Sequence, residues 1–350
     1  MRLPRWVLYG SAFGTFLGGG ALLRERVFGE AEPEDAVLQR AKGKIVIVTG
    51  ANSGIGREIS ESLAKHGARV IMACRDMKKC EKVRKEIIGE TLNRHVVCRA
   101  CDLGSYSSIK AFVARVKEEE PKIDVLVNNA GVMGCPKSVT SEGLETHFGV
   151  NFMGSFVLTA LLLDKLKGNP GNVRIVNVSD SAFKRGEILF KDLNRFEAYD
   201  PKEAYNQSKL AVVLFTALLK QRLSGNFCLL SQFGKRITFF MEVGVFGTNV
   251  EVVAAEAGGL VNTPLLRHFG IYNSILAAAF VWPLAYPFLR TARHGAATPL
   301  YAALCPSKDI SVPYLKAKEA DPGSIEVLNV EDAKRLWAIA EHWSGIKFPS

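Results

Sequence analysis

The chain lacks the residues that would make it a small cross-linked, metal-holding or repeat protein. Its seven cysteines (74, 80, 98, 101, 135, 228 and 305) are odd in number and irregular in spacing. That pattern argues against a disulfide framework and for a reducing compartment. One CxxC occurs, Cys98-Arg99-Ala100-Cys101, with no second pair and no histidine at ligand spacing. It lies in a strand-like run, where residues three apart face opposite sides, so it reads as two strand cysteines rather than a zinc or redox site. Internal repeats, low-complexity tracts and Gly/Ser linkers are absent, which leaves no internal boundary at which to divide 350 residues. The net charge of +10 is scattered, without an aromatic-interleaved basic stripe. Nucleic acid is therefore not expected as a partner; solvated faces and attraction to anionic membranes or phosphorylated cofactors account for the excess.

Long uncharged runs are scarce, and the first stands at the N-terminus. Trp6 to Leu23 is 18 residues without a charge, flanked by Arg2, Arg5, Arg24 and Arg26. The length just reaches that of a membrane span. Gly10, Gly14 and Gly18 have small-xxx-small spacing, and no small-x-small cleavage site ends the run before Arg24. Residues 1–30 are thus expected to be an uncleaved membrane anchor. The acid-free, basic first 24 residues are also compatible with mitochondrial targeting.

Beyond it, apolar strands alternate with helical patterns. Ile45 to Val48, Ala68 to Ala73, His95 to Asp102, Val125 to Gly131, Val173 to Ser179 and Val250 to Ala255 read as strands. Arg57 to His66, Lys78 to Ile88, Ile109 to Glu118, Leu144 to Leu166 and Ala204 to Leu223 read as helices. This alternation implies right-handed crossovers and an α/β, Rossmann-type doubly wound parallel sheet in one domain, residues 36–350.

The first strand runs into Thr49-Gly50-Ala51-Asn52-Ser53-Gly54-Ile55-Gly56. Gly50 allows the tight turn, Gly54 lets backbone approach a pyrophosphate, and Gly56 lets the helix pack near the strand; the helix N-terminus then presents free N–H groups to phosphate. Strand before and helix after are the context such a turn needs. The second strand ends in Cys74-Arg75-Asp76. A guanidinium at Arg75 suits a 2′-phosphate and favours NADP(H), while Asp76 keeps NAD(H) open. Some 150 residues on, Tyr205-Asn206-Gln207-Ser208-Lys209 sets a phenol and an ammonium on one helical face. A cation there lowers the phenol's pKa and makes Tyr205 a usable acid/base.

These features together resemble the short-chain dehydrogenase/reductases over roughly residues 43–349: the Gly-rich turn, Asp102-Leu103, Asn128-Asn129-Ala130-Gly131 and YxxxK occur in family order. Ala73 to Met77, Gly89 to Asn93, Asn129 to Met133 and Gln207 to Ala211 are similar to the retinol dehydrogenases within that family. The resemblance implies an NADP(H)-dependent oxidoreductase interconverting apolar aldehydes or ketones with alcohols, with a retinoid-like substrate, or else a steroid or lipid carbonyl. It implies that Gly50, Ser53, Gly54, Ile55, Gly56, Arg75, Asp102, Leu103, Asn128, Ala130 and Gly131 line the cofactor. Thr263 would contact the carboxamide, Lys209 the nicotinamide ribose, and Asn151 would hold the water of a proton relay to Lys209. Tyr205 would protonate the carbonyl oxygen. A membrane, mitochondrial rather than endoplasmic reticulum, and a homodimer are further expectations.

Three departures from the family pattern stand out. Where members carry Ser-Ser, this chain reads Val178-Ser179-Asp180-Ser181, which puts Asp180 at the catalytic serine unless a one-residue shift brings Ser181 there. An ionised carboxylate is the wrong charge beside a developing oxyanion; a protonated one could donate. Hence a cofactor-binding protein without turnover, kept for membrane or partner binding, is the rival reading. The usual Pro-Gly reads Ala257-Gly258. Residues 226–247 look like an apolar insertion at the sheet edge away from the cofactor. A second uncharged run, Phe269 to Leu289, sits where the family covers its substrate and reads as an apolar lid.

Overall fold

The computed structural model describes residues 32–224, 248–258, 261, 263, 265, 290–310, 313–321 and 328–348, with the backbone alone of two short strands at 230–233 and 236–239. The anchor at 1–30 and the lid at 269–289 lie outside the described residues, as do the side chains of 226–247.

Eight strands form one sheet. β1 (Ile45–Thr49), β2 (Arg69–Cys74), β3 (Val96–Ala100), β4 (Val125–Asn128), β5 (Val173–Ser179), β6 (Val250–Glu256), β7 (Tyr314–Lys316) and β8 (Glu319–Ala320) lie in the order β8-β7-β6-β5-β4-β1-β2-β3. All neighbours are parallel except β7 and β8. The order reverses direction at β1, the switch point of a doubly wound sheet. The helices α1 (Gly54–Lys65), α2 (Met77–Thr91), α3 (Tyr106–Glu119), α4 (Gly154–Lys167), α5 (Pro201–Leu223), α6 (Ala292–Leu304) and α7 (Val330–Ser344) cover both faces. β1 is buried throughout because both faces are covered. Ile45 and Ile47 join the core under α3, α4, α5 and α7; Val46 and Val48 join the one under α1, α2 and α6. Phe156 on α4 meets Phe152, Phe215, Trp337 and Phe348, with ring centroids 4.9–6.0 Å apart, and ties the C-terminal helix to the sheet.

The helix expected from Leu144 starts later and has two parts. A π-helical segment, Phe148–Met153, carries Asn151 and precedes α4. Such wide turns gather at functional sites. The stretch Phe148–Lys167 is long and apolar enough to cross a membrane, yet most of it is buried inside the fold, as a core helix must be.

The cysteine pattern needs a correction. Cys80 on α2 and Cys98 on β3 form a disulfide, Cα–Cα 6.1 Å. Its partners lie 18 residues apart because a helix crosses back over its own sheet between them. Cys98 and Cys101 do face opposite cores, as strand residues three apart should.

Around residues 226–247 the chain closes on itself. The Thr248 N–H and its hydroxyl both donate to the Leu223 carbonyl at 2.9 Å. Among the described residues the two strands at 230–233 and 236–239 pair with each other alone.

Two outcomes follow. Phe156→Ala should cost about 3–5 kcal/mol of stability, read from urea unfolding. Removing residues 226–247 leaves Leu223-Ser224-Gly225-Thr248, a four-residue turn whose closing hydrogen bond already exists. The shortened chain should unfold cooperatively with the full-length midpoint; loss of cooperativity would show that those residues belong to the core.

Candidate active site

The cleft lies at the carboxyl ends of β1, β2, β4 and β5 and encloses about 320 Å³, within the range of small-molecule sites. Its floor is a close meeting of two backbones. Gly50 turns at φ +66°, and a Cβ there would stand 2.9 Å from the Ala130 Cα. Any side chain at Gly56 would run into the Gly50 carbonyl and the Asn129 amide. The Thr49 hydroxyl holds this approach by accepting the N–H groups of Asn129 and Ala130, both at 2.9 Å, while Asn129 Nδ2 donates to the Thr49 carbonyl at 2.9 Å.

Helix α1 starts at Ser53 without a side-chain cap. By contrast α2, α3, α5, α6 and α7 are capped by Asp76, Ser105, Asp200, Thr291 and Asn329. The unfilled first turn of α1, at Ser53, Gly54 and Ile55, lines the cleft, as an anion-binding terminus would. At the end of β2, Asp76 Oδ1 accepts the Lys79 N–H at 3.0 Å, so this carboxylate is engaged as a helix cap. Arg75 and Lys79 are exposed, and neither side chain forms an ion pair or hydrogen bond among the described residues.

Tyr205 and Lys209 enter from the first turns of α5, opposite Asp180. The Tyr205 hydroxyl donates a short hydrogen bond to Asp180 Oδ2, and Asp180 Oδ1 accepts the Ala182 N–H at 2.8 Å. Lys209 Nζ donates to the Val178 carbonyl at 3.2 Å and stands 5.5 Å from the Tyr205 ring centroid. The direction of the phenol's shift is the reverse of the sequence expectation. Burial, then the Asp180 carboxylate, push Tyr205 well above the usual tyrosine value. Burial also lowers Lys209, against the pull of Asp180. The ammonium does not win because its own charge is costly there and its hydrogen bond goes to the Val178 carbonyl, not to the phenol.

The cleft gathers Gly50, Ser53, Gly54, Ile55, Arg75, Asp102, Leu103, Ala130, Gly131, Asp180, Tyr205, Lys209 and Thr263. Four other sequence candidates stand off its wall. Gly56 packs behind Gly50. Asn128 turns inward and donates to Thr159 (3.0 Å) and Asn177 (2.8 Å), because a strand's alternation puts Asn129, not Asn128, beside the turn. Asn151 holds the wall from behind: its Nδ2 donates to the Val132 carbonyl (3.0 Å) and Ser208 Oγ (2.9 Å), and its Oδ1 accepts the Val132 N–H (2.8 Å). Ser181 begins the 3₁₀ turn that Asp180 caps, so Asp180 faces Tyr205 without a register shift.

Sequence reading missed Thr49, Lys79, Asn129 and a buried pair behind Tyr205. His147 packs edge-on to the Tyr205 ring, centroids 6.2 Å apart. Its Nε2 accepts the Cys135 N–H at 3.2 Å, which leaves the ring proton on Nδ1, 2.7 Å from Glu145. For Lys79 a signal existed, one helical turn after Arg75; for the Glu145–His147 pair there was none, since only packing brings it to Tyr205.

With this geometry in hand, comparison with known proteins is specific. The family model for short chain dehydrogenases matches residues 44–226. Human retinol dehydrogenase 13 is 41% identical over 350 residues, covering 99% of this chain and 98% of the relative. Human retinol dehydrogenase 12 is 40% identical, covering 87% and 88%. Among solved structures, an uncharacterised protein from Mycobacterium paratuberculosis superposes with TM-score 0.63 at 30% identity, over 88% of this chain and 96% of that one. The chain belongs to the short chain dehydrogenase family, oxidoreductases that use a nicotinamide cofactor.

Proposed function

We propose that the protein is an NADP(H)-dependent oxidoreductase that interconverts apolar aldehydes or ketones and their alcohols, with a retinoid-like compound as substrate. The observation that carries the reading is one cleft shared by the uncapped α1 terminus, the free cations Arg75 and Lys79, and the Tyr205–Lys209 pair. The cradle fits a dinucleotide: Gly50 and Gly54 adopt φ of +66° and +53°, Gly50 packs its turn against Ala130 where a Cβ would collide, and the uncapped first turn of α1 lines the cleft. Arg75 and Lys79 would hold the 2′-phosphate; with one Asp76 oxygen committed to α2, less is left for the ribose hydroxyl that NAD(H) would offer. The retinoid substrate rests on the names of the similar proteins. The apolar runs at 6–23 and 269–289 favour a membrane-held enzyme with a greasy substrate, and the reading extends to a mitochondrial membrane and a homodimer.

A bound nicotinamide supplies or accepts the hydride. The chain's own part is the proton. Tyr205 stays protonated across the physiological range, as reduction requires of an acid, but its proton is directed at Asp180. A carbonyl oxygen must win that proton from a carboxylate, whereas a hydroxyl at 180 would leave it free and add a donor to the developing oxyanion. Alcohol oxidation needs the phenolate, which burial and Asp180 both oppose. The geometry therefore favours slow reduction over oxidation. The same Tyr205–Asp180 bond supports the second reading, a cofactor-binding protein without turnover.

Turnover of NADPH with all-trans-retinal separates the two. On the first reading Tyr205→Phe lowers the rate about 10²–10⁴-fold, and Asp180→Ser raises it about tenfold or more. A wild type that binds NADPH, turns over no aldehyde, and is awakened by Asp180→Ser supports the second. Replacing Arg75 and Lys79 by Ala should weaken NADPH about 10–100-fold, one charged hydrogen bond being worth about 1.5–3 kcal/mol, and leave NADH nearly unchanged. Equal loss for both cofactors would remove the 2′-phosphate assignment.

A further inference from the structure

Behind the Tyr205 ring lies a buried polar pair to which the proton chemistry above gives no part. His147 is 0% exposed and Glu145 2%. Three N–H groups converge on the Glu145 carboxylate. Oε1 accepts the His147 backbone N–H at 2.9 Å and the ring Nδ1 at 2.7 Å, and Oε2 accepts the Phe148 N–H at 2.8 Å. Among the described residues no Lys or Arg pairs with it. A buried acid without such a cation is costly to keep. Capping the first turn of the π-helical segment accounts for its two backbone contacts, but not for the ring.

The ring leads from Glu145 to two other stretches of chain. Its Nε2 accepts the Cys135 N–H at 3.2 Å, while the Tyr199 hydroxyl donates to the Cys135 carbonyl at 2.6 Å, so Cys135 is held at both its backbone groups. Cys135 ends the segment that begins with Gly131 and Val132 in the cleft wall. Tyr199 stands one residue before Asp200, the cap of α5, and the Glu145 N–H donates to Asn194 Oδ1, in the same loop, at 2.9 Å. Against this imidazole, edge-on, lies the Tyr205 ring, centroids 6.2 Å apart and planes at 74°.

We propose that His147 is a positioning residue for Tyr205: Glu145 orients its ring, and the ring backs the phenol and ties Cys135 in place, fixing the acid/base relative to the Gly131–Val132 wall of the cleft. An edge-on ring contact restricts the phenol's swing without engaging its hydroxyl. That hydroxyl bonds elsewhere, to Asp180. The Cys135 N–H needs a lone pair on Nε2, and Glu145 provides for it by taking the Nδ1 proton. A leucine could fill much of the same space but could not make either bond. The inference rests on the reading of Tyr205 as the acid/base for its effect on rate, and on the contacts alone for the placement.

Three measurements on the full chain test it: turnover of NADPH with all-trans-retinal, NADPH affinity, and carbon-13 spectra with labelled tyrosine, in which the Tyr205 signal is the one lost from Tyr205→Phe. His147→Leu should lower kcat about 10–100-fold, as a small misplacement of a reacting group does. KM and NADPH affinity should stay nearly unchanged, because none of these contacts involves the Gly50 turn or Arg75. His147→Gln, which keeps an oxygen for the Cys135 N–H, should regain much of the loss; a side chain that merely filled space would make leucine at least as good. In Tyr205→Phe the further change His147→Leu should cost little, since no proton is left to place. Tyr199→Phe alters only the half-buried far end of the chain of contacts, and should shift the Tyr205 signal even where variants at His147 do not fold. Equal rates in His147→Leu and His147→Gln, additive losses in the double variant, or a Tyr205 signal indifferent to Tyr199→Phe overturns the proposal. A wild type without turnover whose Tyr205 signal still responds to Tyr199→Phe supports the placement and counts against the oxidoreductase reading alone.

Discussion

The carboxyl edge of the sheet is organised by the close approach of two backbones, Gly50 against Ala130. Thr49 holds them together, accepting two N–H groups of the β4 turn on one hydroxyl, and the absence of side chains at Gly50 and Gly56 makes the approach sterically possible. From this follow the seat of α1, its exposed first-turn N–H groups, and the position of Asn129, Ala130 and Gly131 beside the turn. The sheet order puts its reversal at the same place, so a cleft opens between β1 and β4 rather than at an outer edge.

Electrostatics on the other wall is set by burial more than by any pair. Tyr205, Lys209 and Asp180 are close enough to be one system, but a buried ammonium is destabilised as surely as a buried phenolate. The cation that would activate the phenol is weakened by the environment that surrounds the phenol. The single hydrogen bond from Tyr205 to Asp180 then settles where the proton points. A serine in that place would have left the same scaffold with a free proton and an extra donor; one residue changes the chemistry without changing the fold.

Much of the architecture was legible because short apolar runs, helical periodicity and turn residues are local signals. Val173–Ser179 was read to the residue, and the other strands and helices read from the sequence, apart from the helix at Leu144, to within a few at their ends; α6, α7, β7 and β8 were not read. The helix beginning near Leu144 was read too early: the Glu145 N–H is taken by Asn194 and Asn151 in the π-helical segment is held by Val132 and Ser208, residues distant in sequence. Asn128 was placed at the cleft because the motif names it; strand alternation turns it inward. The Cys80–Cys98 bridge escaped because spacing along the chain says nothing of a helix folded over its own strand.

What the sequence determined by itself is whatever depends on neighbours in the chain: the order of strands and helices, the glycines of the turn, the presentation of Tyr205 and Lys209 on one helical face, and membership of the family through their order. Only the tertiary structure decided what depends on dielectric and on groups far apart. It chose Asp180 over Ser181 as the partner of Tyr205, turned the phenol's pKa upward against the expectation, committed Asp76 to a helix cap and left Arg75 and Lys79 without a side-chain partner among the described residues. It also set Glu256 beside Ser179, because strand pairing between β5 and β6 juxtaposes residues 77 positions apart along the chain. Local pattern fixes which groups a chain can present; packing fixes how much each charge costs, and that cost decides the chemistry.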